Sequence, residues 1–511
     1  MIERLNWTAT YVFIAFFVLV TILGFIPSRW RRADFDLLHE WGLGGRRFGP
    51  WVSWFLIGGD LYTAYTVIAV PALVYAVGAY GFFAIPYTII IYPFLFLVLP
   101  RMWNVTHKRG YITAGDFVFG RYGNRWLELA IAATGILATM PYIALQLVGI
   151  EKVILALGFE GKGLMGHVPL TIAFVILALY TYTSGLRAPA MIAFVKDIMI
   201  YVFVLAAIFV IPAELGGYGK IFDTAAAAYS AKGNAAGLTL TDAQIVPYIT
   251  VALGSAMALF IYPHALTGIL SASSGDAIKR NAIALPAFSI VLGLVGLLGV
   301  MAHAAGIVVS NPQDVVPQLV LKMFPDWFVG FCFAAIAIGA LVPAAVMSIG
   351  AANTFTRNIW KPFVNQEMSA REETILAKLT SLVVKLGALL VILFIPTKFA
   401  IDFQLLGGVW MIQCFPAIIF GLYTRWFTGW SLLAGWGVGM SAGTYLAWGP
   451  VSWSPTHAVF DWFLAYNGII AVGLNILVAA AVTLLAPVAA SDETEPADYL
   501  GGSCASKAVR A

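Results

Sequence analysis

Long apolar runs recur from one end of the chain to the other, and they constrain the fold more than any other feature of the sequence. Hydrophobic residues make up 61% of the chain and charged residues only 11%, so a water-soluble core could not bury them all. The pattern predicts an all-α polytopic membrane protein with about 13 transmembrane helices. The predicted spans cover residues 7–26, 49–78, 81–100, 126–158, 168–186, 190–212, 245–269, 283–309, 327–350, 376–395, 403–423, 431–448 and 460–487.

Lysine and arginine are concentrated in alternate loops between these spans. By the positive-inside rule, this bias predicts that the N-terminus lies outside and, with an odd number of spans, that the C-terminus lies inside. No loop is long enough to form a second domain, so residues 1–490 are predicted to form a single transmembrane domain. Residues 491–511 are polar and rich in small side chains, and they are predicted to form a disordered cytoplasmic tail.

Several function classes lack support in the sequence. The three cysteines, Cys332, Cys414 and Cys504, show no disulfide or metal-binding spacing. The net charge of +4 is explained by loop residues, so nucleic acid is not an expected partner. The chain contains no GxxxxGK[ST], HExxH, CxxC or GxSxG motif, so neither ATP-driven transport nor an enzyme is predicted, and no cofactor is expected.

The span at residues 49–78 is interrupted in its middle by Gly58, Gly59 and Asp60. Each glycine costs a helix about 1 kcal/mol relative to alanine. Within a bilayer, unwound backbone and a carboxylate are tolerated only where they face protein or a water-filled cavity. The interruption therefore predicts a ligand site at an unwound helix. The simpler alternative is a kinked helix with Asp60 in a wet crevice.

A second interrupted span, residues 245–269, contains Gly254-Ser255 and then Tyr262-Pro263-His264. It lies five spans after the first and crosses in the opposite direction. Paired interruptions at corresponding places of two inverted halves are typical of alternating-access secondary transporters. A channel or a transporter-derived sensor is the alternative of a different class, but a channel needs a continuous polar lining and a sensor needs an output domain.

Several segments resemble, in the same order, the sodium:solute symporter family. GGRRFGPWVSWFLIGGDLYTAYT resembles its first core helix, TSGLRAPAMIAFVKDI its fifth and PAAVMSIGAANTFTRNIWKPF its eighth. The segment TGILATMPYIALQLVGIE is more similar to the bacterial monocarboxylate permeases, which take up acetate, propionate, pyruvate or lactate. The resemblance covers nearly the whole chain.

This resemblance implies a LeuT-like inverted 5+5 helix repeat in the bacterial plasma (inner) membrane. Residues 49–212 would form the first repeat and residues 245–423 the second. The helix at 7–26 and the two helices within 431–487 would be additions to this core. The expected partners are a small monocarboxylate, a coupling cation and membrane lipid.

The resemblance also carries over a sodium site, formed by oxygens of the first and eighth core helices. The corresponding positions are the backbone carbonyls of Gly58 and Leu61, with Ala345, Ser348 and Ile349 on the eighth helix. Position 349 normally supplies a hydroxyl group, which isoleucine lacks, and the loss of one oxygen among five or six weakens sodium binding. We therefore expect coupling to H+ rather than Na+. Sodium symport of another small solute, such as an amino acid, is the alternative.

Four titratable residues are candidates for proton coupling: Asp60, Lys196, Asp197 and His264. Some proton-coupled transporters of this architecture place a lysine amine where the second sodium would sit, and Lys196 could do so here. Its alternative role is that of a lysine whose amine snorkels to the cytoplasm. Asp197 is expected on a different helix face from Lys196, so the two need not form a pair. His264 could titrate near neutral pH or be structural.

Polar residues around the interruptions are the candidates for contact with substrate: Gly59, Tyr62, Thr63, Tyr142, Gln146, Tyr262 and Gln413, with Trp410 beside the last. Tyr142 and Gln146 lie four residues apart on one helix face, where they could hold a carboxylate or only join helices. For His303 and Lys385, which lie within or beside apolar segments, the sequence suggests no role.

Overall fold

The computed structural model describes residues 5–27, 34–159, 168–231, 237–394, 399–460, 463–485 and 492–501. In chain order, its α-helices are α1 (Trp7–Phe25), α2 (Leu38–Leu43), α3 (Pro50–Gly59), α4 (Val70–Val77), α5 (Ala84–Leu97), α6 (Leu99–Arg109), α7 (Ala114–Tyr122), α8 (Arg125–Ala156), α9 (Val168–Ser184), α10 (Arg187–Leu215), α11 (Tyr218–Ala231), α12 (Asp242–Leu259), α13 (Pro263–Leu270), α14 (Gly275–Ala284), α15 (Pro286–Ala304), α16 (Val315–Met323), α17 (Asp326–Phe355), α18 (Lys361–Phe363), α19 (Ala370–Phe394), α20 (Ile401–Met411), α21 (Phe415–Ile419), α22 (Gly429–Ala447) and α23 (Asn467–Leu485).

Within the described residues, nine helices are long and apolar enough to cross a membrane, which agrees with a polytopic membrane protein. The number of thirteen spans and the orientation in the membrane stay predictions. The last predicted span was placed too early, because residues before Asn467 form an antiparallel hairpin of β1 (Thr456–Phe460) and β2 (Phe463–Tyr466). Helix α23 begins only after that hairpin.

Helix α17 lies at the centre of the bundle and is buried along nearly its whole length. It packs against α1, α8, α10, α13 and α19. Small residues make this packing possible, since added side-chain atoms at Gly330 and Gly350 would collide with the backbone of Ala9 and of Pro263–His264. The central helix therefore positions the start of α13, where the second interruption lies.

The first interruption has the location that the sequence predicts. Helix α3 ends at Gly59, the backbone is not helical from 60 to 63, and a π-helix at Tyr65–Ala69 leads into α4. The hydroxyl-bearing side chain of Thr63 caps the resumed helix by accepting from the backbone N–H of Tyr65 (3.0 Å). The unwound stretch is thus short, and its freed carbonyls are available to neighbouring helices.

The second interruption is shorter than predicted. Residues Gly254 and Ser255 lie inside the regular helix α12, where Gly254 packs against the ring of Tyr466. The chain leaves the helix only after Leu259 and starts α13 at Pro263. Pro263 begins a new helix readily, because proline lacks a backbone N–H and has a φ angle compatible with a helix. Gly254 remains helical, and the absence of a side chain there leaves room for the ring of Tyr466.

Part of the tail for which the sequence predicts disorder is ordered in the structure. Asp492 lies 3.0 Å from Arg121 and 3.3 Å from Arg425, and Asp498 lies 2.6 Å from Arg109. Arg109 is the last residue of α6, Arg121 lies in α7 and Arg425 precedes α22, so the tail bridges segments that are far apart in sequence. Asp492 and Asp498 pair with arginines that are distant in sequence, so the composition of the tail alone does not predict these contacts. Residues 491 and 502–511 lie outside the described residues.

Candidate functional site

The two interruptions meet at a pair of titratable side chains. Nε2 of His264, on the first turn of α13, lies 3.4 Å from Oδ2 of Asp60 in the unwound stretch. The imidazole is fully buried, and the Asp60 side chain is 15% exposed. The structure therefore brings together two of the residues predicted for proton coupling, from two different halves of the chain.

Several polar atoms at this pair have no hydrogen-bond partner among the described residues. They are Oδ1 of Asp60, both ring nitrogens of His264 and the hydroxyl group of Tyr262. A buried polar group left unsatisfied costs about 1–3 kcal/mol, and native proteins contain few of them. Four such atoms close together are typical of a place that receives water, an ion or a polar ligand.

Aromatic rings enclose the same pair. The ring centroid of His264 lies 5.5 Å from that of Tyr142 and 5.2 Å from that of Tyr262. Both tyrosines were predicted to contact substrate. A narrow cavity on the far side of Pro263 runs past Thr267 toward Thr113.

On its other side, the unwound stretch is held by a buried lysine. Nζ of Lys196, on α10, donates to the backbone carbonyls of Gly59 and of Tyr62 (3.1 Å). The lysine side chain is fully buried, so it does not snorkel to the membrane surface. The ammonium group thus binds the carbonyl of Tyr62 and that of Gly59, which also accepts from the backbone N–H of Tyr62 (3.2 Å).

Lys196 and Asp197 form an ion pair, although neighbouring residues of a helix need not do so. Nζ of Lys196 lies 3.0 Å from Oδ1 of Asp197, and both side chains are fully buried. Consecutive residues of a helix do point in different directions, but the flexible four-carbon stem of lysine lets its amine turn toward the neighbouring carboxylate. Burial of both charges in the membrane interior favours that arrangement, since an isolated buried charge is costly.

Close approach explains why residue 59 is glycine. An added Cβ at this position would lie 2.9 Å from Oδ2 of Asp197 and 3.0 Å from Nζ of Lys196. We expect Gly59→Ala to slow initial uptake by about tenfold, because relieving such overpacking costs ~1–3 kcal/mol and moves the amine off its carbonyls. The measurement is uptake by reconstituted protein at matched protein density. Gly473→Ala is the control, since nothing lies within 4 Å of a Cβ added there; equal rates for the two variants would contradict the expectation.

Gln146 and Tyr62 support the site but do not point into it. Oε1 of Gln146 accepts from the backbone N–H of Ala64 (3.0 Å), and its Nε2 donates to the carbonyl of Tyr142 (3.3 Å). The hydroxyl of Tyr62 donates to the carbonyl of Phe288 (3.2 Å). For Gln146 the structure therefore favours helix joining over the alternative of a direct carboxylate contact.

The positions carried over for sodium hydrogen-bond mainly among themselves. Oγ of Ser348 donates to the carbonyl of Ala345 (2.8 Å), and the carbonyl of Gly58 accepts from the N–H of Leu61 (2.9 Å). The side chain of Ile349 is fully buried and offers no oxygen. The amine of Lys196 binds the carbonyls of Gly59 and Tyr62. Each lies one residue after a carbonyl predicted to bind sodium, those of Gly58 and Leu61. With Ile349, this set has one oxygen fewer than the family's sodium site, which makes it a poorer site for the ion.

Gln413 and Trp410 lie on the face of the bundle that the two added helices cover, and their place in the substrate pocket stays a prediction. Nε2 of Gln413 donates to the carbonyl of Val409 (3.0 Å), and Nδ2 of Asn475 on α23 donates to the backbone carbonyl of Gln413 (2.9 Å). Nε1 of Trp410 donates to Oγ1 of Thr444 on α22 (3.1 Å). Both side chains face the two added helices, which cover this face of α20.

The two residues without a predicted role are also separate from the site. The ring of His303 stacks on Tyr75 with a centroid distance of 4.2 Å, at the end of α15. The amine of Lys385 is buried in α19 and has no hydrogen-bond partner among the described residues. Neither contacts the pair of Asp60 and His264.

The known sequences that this chain resembles are described as symporters or permeases. The sequence model described as "Sodium:solute symporter family" matches residues 41–439. A protein of Rhizobium johnstonii named "Monocarboxylate transport permease protein" is 59% identical over 96% of this chain and 99% of its own length. An "Uncharacterized symporter" of Bacillus subtilis is 33% identical over 92% of this chain and 93% of its own.

A solved structure shows the fold. A Na+-coupled sialic acid symporter, in a substrate-bound outward-open state, superimposes with a TM-score of 0.77 over 95% of this chain and 99% of its own. Its sequence is only 16% identical, so this likeness concerns architecture alone. It supports the LeuT-like helical bundle that the resemblance implies.

Proposed function

The chain belongs to the sodium:solute symporter family, and from this premise we propose that it imports small monocarboxylates by proton symport. A multi-pass membrane protein of this family moves a small solute together with a coupling cation. The substrate class is inferred from the relative that is 59% identical and is named for monocarboxylate transport. Acetate, propionate, pyruvate and lactate are the proposed substrates, and the bacterial inner membrane is the proposed location.

The main support for proton coupling is the position of the Lys196 amine. The ammonium group of Lys196 contacts carbonyls of the unwound stretch at the place where the family's sodium ligands are expected. A lysine amine already supplies the positive charge that a sodium ion would bring, and it can release and regain a proton. The poor fit of Ile349 to a sodium ligand points the same way.

The charges around the interruption support co-transport of an acid and a proton. With Asp60 and Asp197 ionised and Lys196 protonated, the three side chains carry one net negative charge. A carboxylate substrate is repelled by this charge in a medium of low dielectric constant. Protonation of Asp60 removes the repulsion and lets its carboxyl group donate a hydrogen bond to the substrate. Proton and anion therefore favour each other's binding.

Sodium symport remains the second candidate, because the family is named for sodium and the structural neighbour is described as Na+-coupled. It requires Lys196 to leave the carbonyls of Gly59 and Tyr62, or sodium to bind at another place. The two candidates differ in which gradient drives uptake, so one experiment separates them.

We expect uptake of labelled monocarboxylates into proteoliposomes to respond to an inward proton gradient and hardly to a sodium gradient. The variant Ile349→Thr restores a hydroxyl at the family's position and is expected to gain at most a small sodium response while Lys196 is present. Proteoliposomes with imposed pH or sodium gradients provide the measurement, with protonophore-treated vesicles as the control. Equal stimulation of the unsubstituted protein by sodium at fixed pH contradicts proton coupling.

A further inference from the structure

A pocket of about 340 Å³ opens beside the first core helix, on the side of the bundle where the arginine-containing loops lie. It is formed by the loop before α3, the start of α3 and the first two turns of α10. Its wall is apolar, with Phe48, Val52, Met191 and Phe194 among the lining residues. Two arginines, Arg47 and Arg187, also line it. The pocket is separate from the site at Asp60.

A buried carboxylate fixes both arginines in place. Oε1 of Glu40 lies 3.2 Å from Arg47, and Oε2 lies 2.5 Å from Arg187. The Glu40 side chain is only 8% exposed, whereas that of Arg47 is 61% exposed. A guanidinium group has five N–H donors, so a contact with one carboxylate oxygen leaves donors of Arg47 for a second acceptor. Together the three groups carry one net positive charge.

The pocket lies where the headgroups of a bilayer are expected. Trp51, on the first turn of α3, is 75% exposed and contacts the ring of Trp54, with centroids 6.3 Å apart. Exposed tryptophan is enriched at the boundary between headgroups and hydrocarbon. We therefore expect the arginines at the height of the lipid phosphates and the apolar wall beside the acyl chains.

We propose that this pocket binds one anionic phospholipid, with its phosphate on Arg47 and Arg187 and an acyl chain along the apolar wall. Basic pockets between helices on the cytoplasmic side of membranes are suited to acidic headgroups, and arginine pairs well with phosphate oxygens. The lipid contacts both α3, which ends at the unwound stretch, and α10, which carries Lys196. Its binding therefore stabilises one relative position of the two helices that form the proposed coupling site.

The test uses purified full-length protein in detergent, with the thermal unfolding midpoint as the readout. Dioctanoyl-phosphatidylglycerol is expected to raise the midpoint in a saturable way, and dioctanoyl-phosphatidylcholine to raise it less. Arg47→Gln is expected to increase the half-saturating concentration of phosphatidylglycerol by about fivefold, the effect of one basic residue near a membrane surface. Val52→Trp, which fills the pocket and keeps both arginines, is expected to remove the saturable rise.

A matched control is Arg371→Gln, because Arg371 is 74% exposed and also lies near a carboxylate, 3.9 Å from Asp36, but outside the pocket. It is expected to respond to phosphatidylglycerol as the unsubstituted protein does. Equal responses of Arg47→Gln and the unsubstituted protein would overturn the proposal, as would an equal rise with glycerol phosphate alone, which would indicate a free-anion site. If Arg47→Gln does not fold, native mass spectrometry of the unsubstituted protein with both lipids decides, and equal occupancy overturns the proposal.

Discussion

A Lys196→Arg protein is expected to insert, fold and bind monocarboxylate, yet to lose concentrative uptake. Arginine keeps the positive charge beside Asp197 and the carbonyls of the unwound stretch, but it does not release its proton in a protein. If the proton of Lys196 must leave in each cycle, the variant stops at the protonated step. The measurement is accumulation of labelled substrate under an inward proton gradient, with gel filtration to check folding.

A second pair of variants separates coupling from stability at the same position. Lys196→Met leaves Asp197 buried without its counter-charge, which is expected to destabilise the protein by about 3–5 kcal/mol. Lys196→Met combined with Asp197→Asn removes both charges and is expected to recover most of that stability without recovering accumulation. Accumulation by a well-folded Lys196→Arg protein would end the hypothesis that Lys196 carries a coupled proton.

Substitution of Asp60 is expected to uncouple transport in a different way. Asp60→Asn keeps the shape of the side chain beside His264 but removes the titrating proton. Exchange of labelled for unlabelled substrate should persist, because the site no longer carries the negative charge that repels a carboxylate. Accumulation against a gradient should fail, and the exchange rate should depend less on pH than in the unsubstituted protein.

Asp223→Asn provides a control on an exposed residue of α11, where the same chemical change should affect neither exchange nor accumulation. Both assays use the same proteoliposome preparation, so differences in protein amount cancel. An Asp60→Asn protein that still concentrates substrate would return Asp60 to a structural role. This outcome would leave the hypothesis for Lys196 standing, since the two groups are substituted separately.

The sequence predicted the parts of the site that break a local rule. Two glycines and an aspartate inside an apolar span can be recognised without a structure, because regular membrane helices disfavour all three. Ile349 can be recognised in a similar way, because the family pattern has a hydroxyl-bearing residue at this position. Such features depend on residue type and position in the chain, and folding does not change them.

The sequence did not predict the contacts between helices and loops that are far apart in the chain. The position of Gln413 depends on α22 and α23, which pack over it and follow it in the chain. Gly254 looked like an interruption, but it makes room for Tyr466, which arrives from a hairpin far along the chain. The contact between Lys196 and Asp197 depends on a side-chain rotamer, which helix geometry alone does not determine.

The docked tail has a consequence for how the protein is made. The segment that carries Asp492 and Asp498 is synthesised after all of the described membrane helices, whereas Arg109 and Arg121 leave the ribosome early. The nearly buried guanidinium of Arg121 therefore meets Asp492 only after the last described membrane helix has been made. A chain that stops before Asp492 would lack the ion pairs that join the tail to Arg109, Arg121 and Arg425.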